Sequence, residues 1–508
     1  MKILLLNLPF KEDYFYKEDF FKKGKQSPLF PIGLSYVAKA LMKQGHEVKI
    51  LDIYAEQLSY NAVIEKLKTL EFEIVGISAL VTQYKYCKWL CGEIKKINPA
   101  CRLILGNGLA TACDKIILDT IKEIEICVRH EGELTMVELL ENNLENLEGI
   151  SGISYRQNGQ FVRNPDRQII RDIDALGLPA YELFKMELYL KSKFYDTGVI
   201  DLREMSKGEN LRTASVITAR GCPYNCNFCG KVIPFCRLRS IEEIVKEIKF
   251  LIDTYQINAV HFIDELFVIT KERTLKLCEE LKKLNLKWDC QGRVNLVNDE
   301  ILKIMKDSGC LAIGFGVESG DARILQNMNK QTTPEQIKQA ILGAQRAGLL
   351  IKNQLLFGYP GENRESLNNT VKLMKTINDP GRRFSYIQPI PGTALYRQCL
   401  EKKLITDEVY YLYMLKHGFD EGQVNINFTE FRKTDIPLMM KYYFHKMEIN
   451  YLLNALTSIK RFIYLIKRPK TILRLLKITV RHYVRIINGD YPFVFSQKNL
   501  FYRIVKRI

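Results

Sequence analysis

Across residues 1 to about 148, short apolar runs alternate with segments whose apolar positions recur at helical spacing. KILLLNL (2–8), VKILDI (48–53), EIVGISAL (73–80), RLILGNG (102–108) and EICVRHEG (125–132) read as strands. GLSYVAKALMKQG (33–45) and the stretch up to about Lys96 read as helices between them. Strands of four to eight residues alternating with helices predict a parallel, doubly wound α/β sheet. Ligands of such sheets sit beyond the carboxyl ends of the strands. Those ends are Asn7 to Phe10, Ser78 to Gln83, Gly106 to Thr111 and His130 to Glu133, and they are rich in Gly, Ser, Thr and Asn.

Residues 149–205 contain two short strand-like runs, GISYRQ and GQFVRN, and the turn-forming GLPA, and read as a linker. From about 206 to 400 the strand-helix rhythm resumes. SVITARG, NAVHFIDELF, KWDCQGRV, LAIGFGVESG, IKNQLLFGYPG and FSYIQPIPG supply six strands with helices between, the extent of a partial (β/α)6 barrel. Residues 401–508 read as a helical C-terminal region ending in a basic tail.

The length of 508 residues and 47% apolar content imply several globular cores rather than one. Thirteen irregularly spaced cysteines in so long a chain argue for a reducing compartment and against a disulfide framework. No apolar run approaches the ~18–20 residues a membrane-spanning helix needs, and no cleavable leader is evident, so a cytoplasmic protein is expected.

The chemistry concentrates in RGCPYNCNFCG (220–230), where Cys222, Cys226 and Cys229 follow a predicted strand with Cys-x3-Cys-x2-Cys spacing. A structural zinc site needs four ligands, and Cys236 lies beyond a proline-containing loop. A dithiol redox device needs only two thiols. Charged and polar neighbours make the loop a poor core segment. Three thiolates on one loop suit a [4Fe–4S] cluster with its fourth iron left open.

This loop resembles that of the radical SAM superfamily. The resemblance implies that the open iron chelates S-adenosylmethionine, which reductive cleavage turns into a 5′-deoxyadenosyl radical. It also implies a reducing donor of flavodoxin or ferredoxin type. Phe228 matches the aromatic that precedes the last cysteine. By the same resemblance Asp264 and Glu265 in HFIDELF, Arg293 in CQGRVN and Glu318 in GFGVESG are expected at S-adenosylmethionine, and FGYPGE (357–362) and PIPGT (390–394) also match.

The first third, through PIGLSYVAKALMKQGHEVKILD (31–52), VGIS (75–78), GNGLAT (106–111) and HEGELT (130–135), resembles the cobalamin-binding domain fused to many radical SAM enzymes. A dinucleotide domain would place GxGxxG in the first turn, and residues 6–11 contain no glycine. Residues 7–26 also contain no histidine. The resemblance therefore implies cobalamin with its lower nucleotide displaced and no histidine ligand from that loop. Ser78, Thr82, Gly106, Gly108 and Thr111 are the expected cobalamin contacts, and His46 and His130 are expected to be structural.

The formal charge of +17 is concentrated at the end of the chain, where residues 451–508 hold thirteen Lys or Arg against the single acid Asp490. Lys470, Arg474, Lys477, Arg481 and Arg485 recur at helical steps beside Leu, Ile and Tyr, the composition of an interfacial helix on an anionic membrane. A solvated basic face on a packed helix has the same pattern. No RNA-binding module accompanies it, so nucleic acid is not the expected partner.

Together these features predict a radical enzyme that methylates, cyclises or rearranges at an unactivated carbon of a small-molecule or lipid-linked substrate, at the inner membrane face. A radical SAM transfer-RNA methylthiotransferase would carry a second three-cysteine set in the first domain. Cys87, Cys91, Cys101, Cys113 and Cys127 contain one Cys-x3-Cys pair and are otherwise dispersed. A non-catalytic cobalamin or redox sensor would need no open iron.

Overall fold

The computed structural model describes residues 1–9, 28–190, 211–230, 235–379, 383–415 and 424–456. The basic helix expected within 470–487 and most of the loop after the first strand lie outside them.

The first sheet contains β1 (Lys2–Asn7), β2 (Glu47–Asp52), β3 (Ile74–Ser78), β4 (Arg102–Gly106) and β5 (Ile126–Val128). Its helices are α1 (Ile32–Lys43), α2 (Tyr60–Thr69), α3 (Tyr84–Ile97), α4 (Asn107–Thr120) and α5 (Glu133–Glu141). Strand side chains alternate between faces. Ile3, Leu5, Ile74, Ile104 and Ile126 pack against α1 and α5, while Leu4, Leu6, Val75, Leu103 and Leu105 pack against α2, α3 and α4. The five strands are parallel in the order β2-β1-β3-β4-β5. The order reverses between β1 and β3, where a ligand crevice is expected.

The stretch expected to be a linker is partly sheet. β6 (Ile153–Gln157) and β7 (Gln160–Arg163) add an antiparallel hairpin to β5. Asn158 and Gly159, both at positive φ, make its two-residue turn. Buried Arg129 fixes this edge by donating to Ser154 Oγ, the Asn164 carbonyl and Asp166.

The second sheet runs β8-β11-β12-β13-β14-β15, all parallel, from β8 (Thr213–Val216), β11 (Ala259–Phe262), β12 (Lys287–Gly292), β13 (Cys310–Glu318), β14 (Leu350–Phe357) and β15 (Arg383–Tyr386). The six expected strands are these six. Helices Ile241–Tyr255, Lys271–Lys283, Asp299–Asp307, Pro334–Arg346 and Arg364–Thr376 follow five of them in turn. Val260, Phe262, Trp288, Cys290, Ile313, Phe315 and Ile351 pack outward on those helices. The alternate residues therefore face the concave side. There Ala259, Leu311, Ala312 and Leu350 join Leu211 in a small apolar plug. A short antiparallel pair, β9 (Ala219–Arg220) with β10 (Arg237–Leu238), brackets the cysteine loop.

After β15 the chain returns to the first domain: Tyr396, Cys399, Tyr411, Leu412 and Ile426 join the core beneath α2–α4. Helix Ile436–Leu456 then packs on Arg364–Thr376. No helix among the described residues is long and apolar enough to cross a membrane.

Candidate functional site

The carboxyl ends of the two sheets meet. A cavity of about 340 Å³ lies between them, lined by β1, β3, β4 and β5 side chains, by α1 and α5, and by Ile217, Ala219, Arg220, Gly221, Ile263, Asp264 and Glu265. Its inner part is an apolar slot between the sheet and α1/α5, bounded by Leu5, Ile104, Val37, Val128 and Met136. Gly33, Gly76 and Gly132 keep it open: a Cβ at Gly33 would meet nothing within 4 Å, whereas one at Gly76 would come to 2.5 Å from Leu5 Cδ2.

Of the five cobalamin candidates, Ser78 and Gly106 line this cavity. Thr111 faces a structural task instead, since its Oγ1 donates to the Asn107 carbonyl at 3.0 Å and accepts from the His130 amide at 2.9 Å. Thr82 sits in a short 3-10 turn, Val81–Gln83, and Gly108 lies in the first turn of α4 under Leu80. Sequence reasoning missed Asn107, which is held at φ +69° and donates to Ser78 Oγ at 3.0 Å. His130, expected to be structural, lines the cavity at φ +60° with its Nε2 3.8 Å from Asp166. His46 stands outside the cavity, between the turn after α1 and the start of β2.

At the cavity mouth the two halves are joined by ions. Arg220 donates to Glu131 and to Glu133, each at 2.8 Å, and Arg237 donates to both oxygens of Glu131 at 2.8 and 2.9 Å. The Arg220 guanidinium also lies 4.8 Å from the Tyr36 ring centre. Burial would push the Glu131 carboxyl up, yet Arg237 and Arg220 hold it below the usual carboxylate range. Two residues beyond Arg220 the cysteine loop begins.

That loop carries Cys222 and Cys226 half-buried and Cys229 exposed. Among the described residues no three His, Cys, Asp or Glu side chains are gathered as a mononuclear metal centre. A cluster makes a different demand, because each thiolate binds a different iron. The motifs noted in the sequence brace the loop from below. The Asn227 amide donates to Met328 O, its carbonyl accepts from the Leu395 amide, and Phe228 meets Tyr359 edge-on at 6.3 Å. Asn329 donates to the Asn225 carbonyl at 2.7 Å. The 327–330 turn was not singled out from sequence, since a polar Asn-Met-Asn-Lys run carries no distinctive spacing.

The candidate S-adenosylmethionine residues fall around this loop. Arg293 is 8% exposed and stacks on Tyr224, its guanidinium carbon 3.6 Å from the ring centre. One terminal nitrogen points at Cys226 Sγ (3.9 Å), and the other is buried without a hydrogen-bond partner. Asp264 accepts the Thr218 and Ala219 amides on Oδ1, while Oδ2 is buried and unpartnered. Burial pushes its carboxyl up to about 7. Glu265 is exposed at the cavity rim. Glu318 follows a register shift in β13, has φ +61°, and accepts from Lys330 Nζ at 2.8 Å. Lys330 in turn lies 5.8 Å from the Phe228 ring. Such strained backbone concentrates at functional sites.

The donor sets suit the groups that the resemblance implies. An unpartnered buried guanidinium nitrogen beside the thiols suits a carboxylate, an unpartnered carboxylate oxygen suits an ammonium, and a glycine-lined apolar slot suits a flat aromatic base.

Two family descriptions match the chain: "B12 binding domain" over residues 26–140 and "Radical SAM superfamily" over residues 216–374. An uncharacterized methyltransferase of Pyrococcus horikoshii is 29% identical over 452 residues, covering 87% of this chain and 89% of that protein. The anaerobic magnesium-protoporphyrin IX monomethyl ester cyclase of Rubrivivax gelatinosus is 26% identical, covering 78% and 71%. The radical S-adenosylmethionine methyltransferase TsrM of Kitasatospora setae, solved with cobalamin and a [4Fe–4S] cluster, has the same fold, with a TM-score of 0.61 at 18% identity over 79% of this chain and 75% of that one. The chain thus carries a region matching the B12 binding domain ahead of one matching the radical SAM superfamily, in the fold of a cobalamin-binding radical SAM structure.

Proposed function

We propose that the protein is a cobalamin-dependent radical SAM methyltransferase acting on an unactivated carbon. The observation that carries the reading is the shared cavity: the slot of the B12-binding domain and the entry to the cysteine loop open into one space lined by Ser78, Gly106, Arg220 and Asp264. When bound, the cluster and S-adenosylmethionine supply a radical that abstracts hydrogen, and the corrinoid supplies a methyl group. The protein positions and shields them.

Cys222, Cys226 and Cys229 hold the cluster. Arg293 takes the methionine carboxylate on its unpartnered nitrogen, with Tyr224 stacked behind it to fix the plane. Asp264 takes the amino group: its pKa near 7 in the bare site falls when an ammonium arrives, so it binds ionised. Glu265 stands at the rim of the same space. Phe228, Lys330 and Glu318 back the loop from the β13 side. The slot between β3, α1 and α5 takes the displaced nucleotide base of cobalamin. The reductant is a low-potential carrier of flavodoxin or ferredoxin type, and the basic segment 470–487 suits contact with an anionic membrane.

Methyl transfer is preferred to cyclisation because the Pyrococcus horikoshii relative and TsrM both carry that description. The Rubrivivax gelatinosus cyclase keeps cyclisation as the second reading. The test is anaerobic reconstitution followed by incubation with hydroxocobalamin and desalting. Iron–sulfur absorbance that vanishes in the triple Cys222→Ala, Cys226→Ala, Cys229→Ala variant, together with a retained corrinoid spectrum, is expected. A full cluster in the triple variant sinks the ligand assignment, and a protein without corrinoid sinks the methyl-donor role.

A further inference from the structure

Cofactors held by separate domains work on one substrate only if something fixes one domain's site against the other's, and one short segment touches both. After β15 the chain runs through residues 389–395 into helix Ala394–Glu401. On one side this segment meets the cysteine loop. The Leu395 amide donates to the Asn227 carbonyl at 2.9 Å, and a Cβ at Gly230 would stand 3.5 Å from Ile390 Cγ2 and 4.0 Å from Thr393 Cγ2. On the other side it meets the first domain. Ile390 packs on the core beneath α2–α4, Tyr411 of that core donates to the Pro389 carbonyl at 2.7 Å, and a Cβ at Gly392 would come 3.4 Å from Ala112 Cβ on α4.

The segment is built to hold its shape. Gly392 has φ +90°, a backbone conformation that glycine adopts without cost, and its missing side chain lets the turn pass close to α4. Thr393 is 2% exposed; its hydroxyl donates to the Ile390 carbonyl at 2.7 Å and accepts from the Tyr396 amide at 3.1 Å. One hydroxyl therefore closes the turn and caps the helix that follows. That helix is seated in the first domain through Tyr396 and Cys399. A closed turn on a seated helix passes a displacement on instead of absorbing it.

The point of contact on α4 gives the segment its reach. Ala112 precedes Cys113, whose φ of −135° and ψ of 22° interrupt the helix. The half-helix before this kink, residues 107–112, carries Asn107, which donates to Ser78 Oγ, and Thr111, which accepts from the His130 amide. Ser78 and His130 line the cavity of the first domain. The cysteine loop is tied to its own domain by Asn227 and Asn329 at the 327–329 turn. Through 389–395 it has a second hold, on the half-helix that shapes the other cavity.

We infer that residues 389–395 form a strut that sets the separation between the cysteine loop and the half-helix 107–112, with Gly392 and Thr393 as positioning residues for both cofactors. The inference rests on the reading that the loop holds the cluster and the cavity holds cobalamin. Reaction at one carbon needs the two groups at one spacing, and a misplacement of about 1 Å costs on the order of a hundredfold in rate. Neither residue has to touch a cofactor to act in this way.

The test uses the full-length protein in two arms. The first follows hydrogen exchange without cofactors. Thr393→Val keeps the side-chain shape and removes the hydroxyl, while Ala112→Leu crowds Gly392 from the α4 side and leaves the hydrogen bonds of the segment in place. Each should speed exchange across the strut, at 107–113 in the first variant and at 225–230 in the second. Loss of one cap predicts about fivefold to tenfold in Thr393→Val, and Thr393→Ser, which keeps the hydroxyl, should exchange as wild type. The second arm loads cluster and cobalamin, reduces both, and reads the magnetic coupling between the [4Fe–4S]+ cluster and cobalt(II) by pulsed electron paramagnetic resonance. That coupling falls with the cube of the distance, so it should be narrow in wild type, broadened or shifted in Thr393→Val and Ala112→Leu, and restored in Thr393→Ser. Far-side exchange equal to wild type in both variants, or a coupling unchanged in both, would overturn the inference. Far-side exchange effects in a protein that takes up no cluster or no corrinoid defeat the proposed function and leave the strut standing; both cofactors bound without those effects defeat this inference alone.

Discussion

Replacing Arg220 by Met tests whether the ion cluster at the cavity mouth holds the two halves together. Arg220 gives one hydrogen bond to Glu131 and one to Glu133. Glu131 keeps both of its bonds to Arg237, so its loss is small. Glu133 is 3% exposed, and Arg220 is its ion-pair partner among the described residues. The substitution therefore strands one buried carboxylate, which costs about 3 kcal/mol. Unfolding of a two-domain chain is not a single transition, so the local quantity is the better readout. Hydrogen exchange in the segments 128–136 and 217–220 should accelerate by roughly a hundredfold for that cost. Adding Glu133→Gln removes the stranded charge and should restore most of the protection. Unchanged exchange in Arg220→Met, or a double variant that exchanges as fast as the single one, would refute the argument.

Three further outcomes follow from the site. Gly76→Val puts a Cβ at 2.5 Å from Leu5 Cδ2 and fills the slot; retained corrinoid after desalting should fall while cluster absorbance stays, with about 1–3 kcal/mol of overpacking in the first domain. Arg293→Met should lower S-adenosylmethionine affinity by about tenfold to a hundredfold, measured by equilibrium dialysis, without loss of the cluster. Asp264 titrates near 7 when folded and near the ordinary carboxylate value when unfolded. The folded protein therefore binds the extra proton between those values, and stability of the cofactor-free protein should fall as pH rises from about 4 to 7. Asp264→Asn should flatten that slope in the hydrogen exchange of residues 213–220 and 259–264, and an unchanged slope would remove Asp264 from the account.

Strand positions were legible because burial writes itself as apolar runs: KILLLNL and LAIGFGVESG are β1 and β13 with little else to be. The two strands of the β6–β7 hairpin were read as short strand-like runs, but their attachment to β5 was not, because no local pattern marks where a hairpin docks. Helices after 400 were expected, but their packing on the first domain is set by contacts between residues some 300 apart, which no local pattern encodes. In the site, the cysteine spacing was read from the sequence because three ligands on one loop are a local feature. The cavity was only half read. Ser78 and Gly106 line it, but hydroxyl chemistry also pointed to Thr111, whose hydroxyl serves the turn between β5 and α5. The slot itself depends on Gly33, Gly76 and Gly132, glycines from three separate elements that converge only in the fold.

The central claim is that the loop at 222–229 holds a cluster with one iron open to S-adenosylmethionine. Electron paramagnetic resonance of the anaerobically reduced, reconstituted protein tests it most directly. The account predicts a [4Fe–4S]+ signal whose g-values shift when S-adenosylmethionine is added, and no such signal in the triple cysteine-to-alanine variant. A signal indifferent to S-adenosylmethionine, or one that survives loss of Cys222, Cys226 and Cys229, would contradict it.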